Sequence, residues 1–480
     1  KSNLTWGKDT LAAAYVPNAI TIDSTTGALY VDGALTSPTT SAAGSVTFVG
    51  NSVLVANVTN LTSGALITAD SFSIDDASKA VIVGTLDSAK TYQLTNKQAW
   101  SADQLMAGNA LWNLNVNNDG TFTAQLQQAD NVFGDLMQGS DLANGGMNGT
   151  DAEKEYVDNL LTDTSGNTSV KPSVAARFDA AMNPAGALAA FATAYDRSND
   201  LRQVVREESG STDGSRLWAR VTGSDNSFSD LTTGAQAIDV DTSAYGLVIG
   251  GEAVFDDMAI GMALTAGSGD SENNAVAAKD DFNYYGVSVY GKTAIGSVEV
   301  LADASFAMVK SDMTVGGVAN VQAETDTTVF SMGILAQKVC EFQSMNVTPF
   351  IGMDLYHVRA DGYANGHGAT VESANATALE VPIGVTIAKA FETAGGMKVD
   401  PSFTFAVIPT LGSSDIDSKV KFAGAESTYN FTFADDVKVR SKFGVEASKK
   451  NFHFGVSAGY EWGSEGRSTT SINANMKYMF

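Results

Sequence analysis

Residues 451–480 read NFHFGVSAGYEWGSEGRSTTSINANMKYMF. Phe452, Phe454, Val456, Ala458, Tyr460 and Trp462 take every second position, with His453, Gly455, Ser457, Gly459 and Glu461 between them. After a Gly-containing turn the period resumes in Ile472, Ala474, Met476, Tyr478 and Phe480, separated by Ser471, Asn473, Asn475 and Lys477, with Met479 the one apolar intruder. A side-chain period of two is a strand with one apolar and one polar face. Two such strands joined by a tight turn are a hairpin, and the question is what covers the apolar face.

The pattern extends back to Arg216 over about twelve segments. Leu217, Ala219 and Val221 form the first apolar face, and Tyr245, Leu247 and Ile249 the second. Ile260, Met262 and Leu264 follow, then Tyr285, Val287 and Val289, then Val300, Ala302, Ala304 and Phe306. Later faces include Phe330, Met332 and Ile334; Ile351, Met353 and Leu355; Val381, Ile383 and Val385; Phe403, Phe405 and Val407; and Val439, Phe443 and Val445. The opposite faces are small, polar or charged, as in Glu299, Asp303 and Ser305. Runs of roughly ten residues that alternate in this way are what an outer-membrane β-barrel requires, with lipid outside and a polar lumen inside. Closing the sheet also leaves no unpaired edge in hydrocarbon.

The connections alternate in length. Those near 256–257, 294–296, 340–345, 392–395 and 449–450 are short, and those near 224–242, 267–281, 310–326, 359–377 and 411–436 read as long loops. Short periplasmic turns and longer external loops are a barrel property that a soluble sandwich has no reason to share.

The remaining sequence differs. Residues 1–135 carry short β runs such as NAITIDSTTGALYVDGAL and KAVIVGTL, spaced as in the rungs of a β-solenoid. ALWNLNVNNDGTFTAQLQ reads as a hairpin about an NNDG turn, suited to capping an open edge. NVNNDGTF also approximates a calcium loop, but Asn115 replaces the first Asp and Leu126 stands where the bidentate Glu belongs, so the turn reading is preferred. Residues 136–213 turn Ala-rich and helical in period, with Thr150 and Glu153 placed for a capping box. The segment 184–208 carries Arg197, Asn199, Asp200, Arg202, Arg206, Glu207 and Glu208 beside Leu201 and Val205, too polar for a core helix and too regular for a linker.

Composition narrows the classes. With 29 basic and 54 acidic side chains the net charge is −25, which argues against a nucleic-acid partner. The single Cys340 allows no internal disulfide, and the three histidines, His357, His367 and His453, are too scattered for a metal site. Residues 1–150 hold no His, which excludes a Ser-His-Asp hydrolase there, so no enzyme and no cofactor are expected. No run of apolar residues is long enough for a membrane helix. The opening Lys1-Ser2-Asn3-Leu4 lacks an initiator Met and reads as a processed or truncated start.

GSRLWARVTGSD at 214–225, preceded by DRSNDLRQVVREES and opening a set of about twelve strands with an aromatic end, resembles the autotransporter (type V secretion) family over about 150–480. Leu217-Trp218-Ala219-Arg220-Val221 matches the family's first barrel strand. The fold so implied is mainly all-β: a 12-stranded antiparallel transmembrane barrel at 214–480 with a luminal α-helix at about 184–208, after a β-solenoid passenger end at 1–135. The resemblance further implies outer-membrane location, assembly by the barrel-assembly machinery, export of the passenger through the lumen, and display of residues 1 to about 180 on the surface. Ile472, Ala474, Met476, Tyr478 and Phe480 would be the assembly signal. Arg197, Arg202 and Arg206 of the plug would meet luminal Glu299, Asp303, Asp354 and Glu461. Relatives that cut this helix do so between two Asn residues; here Asn199 precedes Asp200, which speaks against cleavage. A second reading makes residues 1–135 an adhesin or structural coat that binds a host or neighbouring-cell ligand, with the barrel as its anchor. A diffusion porin is opposed by the helix, which would block the pore.

Overall fold

The computed structural model describes residues 4–7, 19–22, 28–32, 43–59, 61, 64–96, 100–165, 171–209, 214–233, 236–255 and 258–480. They form two compact units, one of residues 1–178 with 422–426 and one of residues 179–421 with 427–480.

The first unit is built on parallel ladders. Leu4–Gly7, Ala28–Asp32, Val53–Asn57, Lys79–Val83 and Leu105–Ala107 pair in succession, as do Ala19–Ile22, Ala43–Phe48 and Ala69–Ile74. Partners such as Leu4↔Leu29 and Val53↔Lys79 set each step at 25 and 26 residues respectively (29 − 4 and 79 − 53). At that spacing like side chains stack, and Val31, Phe48, Leu54, Ile82 and Trp100 share one buried core. Ser52 and Ser78, one step apart, bond through their hydroxyls at 2.9 Å. The segment read as a hairpin is one: Trp112–Val116 pairs antiparallel with Thr121–Leu126. Asp119 accepts from the Thr121 N–H in its turn, so its carboxylate serves the backbone. Thr150 and Glu153 form a complete capping box at the head of the helix Asp151–Leu161.

The second unit is a closed antiparallel barrel. Its strands are β1 (Arg216–Thr233), β2 (Gln236–Phe255), β3 (Met258–Asn273), β4 (Ala278–Ile295), β5 (Val298–Val315) and β6 (Val321–Gln337). Then come β7 (Met345–Ala360), β8 in two pieces (Ala374–Glu380 and Ile383–Ala388), β9 (Lys398–Gly412), β10 (Val437–Lys449), β11 (Phe452–Gly463) and β12 (Arg467–Met479). Neighbours pair in chain order, and the ring closes where β1 meets β12 from Arg216↔Met479 to Phe228↔Arg467. The apolar rows point outward: Ile249, Met262, Val289, Ile351, Val456 and Met476 are all exposed. The intervening residues face inward and are mostly buried, as in the strict alternation of β3 and β4. Among the described residues no helix is long and apolar enough to cross a membrane.

The connections expected as long loops near 224–242, 267–281 and 310–326 are instead largely strand. β1 and β2 stay paired out to Thr233↔Gln236, with one irregularity between Phe228 and Leu231. β3 and β4 pair to Asn273↔Ala278. Outward residues of these extensions, such as Asp241, Glu272, Lys279 and Lys310, are polar. In these extensions the alternation continues with its sense reversed: Phe282, Val309, Met313, Val315 and Val321 face inward and are buried while the outward positions are polar. The connections at 361–373 and 413–436 hold short strands of their own, Thr370–Val371 pairing with Asp415–Phe422.

One buried acid in the first unit gives a test. Asp158 accepts from the Asn109 amide at 2.8 Å, yet burial raises its pKa to about 6. Folding therefore favours the protonated acid, so this group's stabilisation is full below its ordinary range and is lost as pH rises through about 6. Asp158→Asn keeps the acceptor and removes the charge. Denaturant melting of the full chain at pH 7.5 should show this unit about 2 kcal/mol more stable in the variant, with the gain vanishing near pH 4.

Candidate functional site: the charged lumen and its helix

A 19-residue helix, Ala190–Glu208, occupies the barrel lumen. It starts later than the expected 184. Asn183 caps a short helical turn, Pro184–Ala187, and Ala189 then adopts φ 52°, which breaks the helix before Ala190. The turn is held by side chains from the long connections. Tyr363 Oη donates to Asn183 Oδ1 at 2.8 Å, and Asn365 Nδ2 donates to the Ala181 carbonyl at 3.0 Å. The Phe431 ring faces Phe191 with centroids 6.0 Å apart.

The helix presents two faces. Leu201, Val204 and Val205 pack inward against Trp218, Val248, Ala263 and Tyr290 of β1 to β4. Trp218 Nε1 donates to Tyr290 Oη at 3.3 Å. Gly286 of β4 permits this contact, because a Cβ there would lie 3.0 Å from Leu201 Cδ2. The other face is ionic. Arg202 reaches Asp303 at 2.7 Å and Asp354 at 2.8 Å, while Arg206 reaches the same two acids at 3.0 and 2.5 Å. Asp303 and Asp354 lie on β5 and β7, directly opposite Gly333 of β6 on either side. A Cβ at Gly333 would lie 1.9 Å from Arg202 Nη2. The glycine is therefore the slot into which two stacked guanidiniums fit between two carboxylates. Nothing in a single-strand pattern marks it, since it is read only once strands β5 to β7 are in register.

Both ends of the helix are tied as well. Glu207 pairs with Arg220 and Lys442, and Glu208 pairs with Arg220 and, at 3.2 Å, with Lys477. Nearer its start, Asp196 accepts from Arg467 at 2.7 Å, and Tyr195 donates to Glu380, which also holds Lys438 at 2.6 Å. Sequence reasoning missed these partners, because Lys442, Lys477, Arg467 and Glu380 lie far along the chain from the helix.

Three expectations are corrected by this geometry. Arg197 meets Asp200 of its own helix at 3.2 Å and Ser224 at 3.0 Å, not a wall acid. Glu299 is held by Lys292 at 3.2 Å and Gln337 at 2.8 Å. Glu461 is held by Arg440 at 2.6 Å. Arg197 is taken by an acid one helical turn away, and Glu299 and Glu461 by cations on the adjacent strand. Asn199 is buried and accepts from Tyr356 Oη at 3.1 Å. Of the first-strand residues, Leu217, Ala219 and Val221 lie on the outer face, while Trp218 and Arg220 are buried in the lumen. Ile472, Ala474, Met476, Tyr478 and Phe480 share the outer face of β12, with Tyr478 5.0 Å from Phe452 and 5.1 Å from Phe480 by ring centroids. Beyond the lumen, His357 bonds Thr377 at 2.9 Å on the outer face, and among the described residues no cluster is suited to a metal ion.

The arrangement can hold an α-helix within the barrel and block a pore. The autotransporter beta-domain family model matches residues 217–461. Among solved structures, the translocator domain of the autotransporter NalP from Neisseria meningitidis is similar at 15% identity and TM-score 0.51, covering 63% of this chain and 100% of that one. The transport unit of the autotransporter AIDA-I from Escherichia coli has 15% identity and TM-score 0.47, covering 62% of this chain and 99% of that one. The beta domain of the Bordetella autotransporter BrkA has 17% identity and TM-score 0.43, covering 56% and 100%. A search of curated proteins returns no match.

If the slot seats the helix, filling it should unseat the helix without touching a charge. Gly333→Val and the pair Asp303→Asn/Asp354→Asn should each loosen the helix by roughly 3 kcal/mol. Faster protease cleavage within 190–208 in detergent would register it, and wild-type resistance in Gly333→Val would contradict the slot.

Proposed function

Because this chain belongs to the autotransporter family, we propose that it is an outer-membrane translocator that carries its own N-terminal part to the cell surface. The observation that carries this reading is the continuous chain that runs through the lumen. Glu208 lies beside Arg220 and Lys477 at the end with short turns, while Asn183 is gripped by Tyr363 at the end with long connections. A chain entering from the short-turn side and leaving on the long-connection side has crossed the barrel. The helix is then what remains in the pore after passage, and its ion pairs seal it.

The parallel ladders of the first unit, with steps of 25 or 26 residues, suit a β-solenoid passenger end that folds once outside. Each rung adds to a template already formed, so folding at the exit can draw the chain outward without an energy source. The outer row of β12, ending in Tyr478 and Phe480, is the surface we assign to the barrel-assembly machinery, with aromatic rings suited to the membrane interface. A second reading, in which the ladders themselves bind a host or neighbouring-cell ligand, is compatible with the first.

Protease added to intact cells should remove residues before about 178 and spare the barrel; protection of those residues would overturn display. Deleting 190–208 should raise single-channel conductance in planar bilayers several-fold as the lumen opens, and an unchanged conductance would overturn the plug.

A further inference from the structure

The chain has eight prolines, and four of them, Pro349, Pro382, Pro401 and Pro409, lie in three neighbouring strands of the barrel wall, β7 to β9. Strands β1 to β6 and β10 to β12 contain none. Proline cannot donate to a ladder and is normally kept out of interior strands. A closed barrel has only interior strands, so these positions need a reason.

Their hydrogen bonds show where the wall is thinned. The Gly352 N–H donates to the Pro382 carbonyl at 2.8 Å across β7 and β8, and the Val381 N–H donates to the Pro409 carbonyl at 3.0 Å across β8 and β9. The Lys389 N–H donates to the Pro401 carbonyl at 3.2 Å. In an antiparallel ladder each such bond has a reciprocal one. Here the reciprocal donor would be the nitrogen of Pro382, Pro409 or Pro401, which carries no hydrogen. Both flanks of β8 thus lose a bond at the same height, and regular strand is interrupted there at Val381–Pro382. The outward neighbours Ile351, Met353, Ile383 and Val407 are exposed and apolar, so the break lies at the depth of the lipid. Carbonyls without donors at that depth are tolerated where they adjoin a water-filled space. A space with room for water adjoins the break: a cavity of about 430 Å³ lies between the helix and this side of the wall, lined by Phe350, Pro382, Thr386, Ser402, Thr404 and Ile408.

We infer that β7 to β9 are the part of the wall that yields when the lumen must hold more polypeptide than the single helix. This rests on the translocator reading. The occupant is an extended segment of this same chain passing alongside another. Thr386, Ser402 and Thr404 offer it hydroxyls, and Ala406, Gly444 and Gly455 offer it room. The opposite wall, packed on Leu201, Val204 and Val205, stays fixed.

Amide hydrogen exchange on the full chain in nanodiscs tests the wall without reference to export. Amides of 350–354 and 380–388 should exchange about tenfold faster than those of 260–267 and 301–308, the ratio that one missing ladder bond of ordinary strength gives. Equal rates would overturn the proposal, and this comparison needs no variant to fold. Pro382→Val with Pro409→Val restores two donors. It should slow exchange in β7 to β9 by about the same factor and delay appearance of residues 1–178 at the cell surface. Slowed exchange with unaltered export would overturn the proposed role in passage. Failure of the wild-type residues ever to reach the surface would instead overturn the translocator reading, leaving the exchange result standing.

Discussion

Every backbone N–H and C=O at membrane depth must find a partner, and this constraint sets the rest of the molecule. Twelve strands meet it by closing, with β1 taking β12 along its length from Arg216↔Met479 to Phe228↔Arg467. Closure fixes which residues face lipid, because a shift of one position would turn Leu217 and Val221 inward and Trp218 and Arg220 outward. It also creates an interior too wide for side chains alone to fill. The helix Ala190–Glu208 is the filling, and its composition answers to a wall that is apolar on one side and charged on the other.

The charged contacts are better understood as fixing position than as adding stability. Removing two guanidiniums and two carboxylates from water is costly, and the attraction among them returns little net gain. What Arg202, Arg206, Asp303 and Asp354 provide is a single depth and rotation of the helix, because only one register places both guanidiniums over Gly333. A helix held by Leu201 and Val205 alone could slide by a turn against Trp218 and Tyr290 at small cost. Ion pairs at Glu207 and Glu208 fix the lower end in the same way, and Asp196 with Arg467 fixes the upper.

The barrel was legible in sequence because lipid imposes a period of two on each strand. The helix was legible because Arg197, Arg202 and Arg206 sit among apolar residues at helical spacing. What escaped reading was set by neighbours across strands. Glu299 and Glu461 could not be assigned to Lys292 and Arg440 from spacing within their own strands. The strand extensions escape reading because there the outward row turns polar, as in Glu272, Lys279 and Lys310, and the apolar residues, such as Phe282 and Met313, face inward instead. Gly333 looked like any small residue until β5 and β7 supplied carboxylates on both sides.

The position of the prolines follows from the same two-sided interior. Against β1 to β4 the helix packs side chain to side chain, and a missing ladder bond there would face apolar atoms with no water to replace the lost donor. Against β7 to β9 the lumen is lined by Thr386, Ser402, Thr404 and Gly444, and the cavity they enclose reaches Pro382 and leaves room for water beside the break. A break is therefore cheapest on the side where the helix leaves space, and that side is also where a second chain would have to pass. Rigidity where the helix is held and slackness where it is not are two consequences of one uneven packing. A uniformly hydrogen-bonded barrel with a centred plug would have neither.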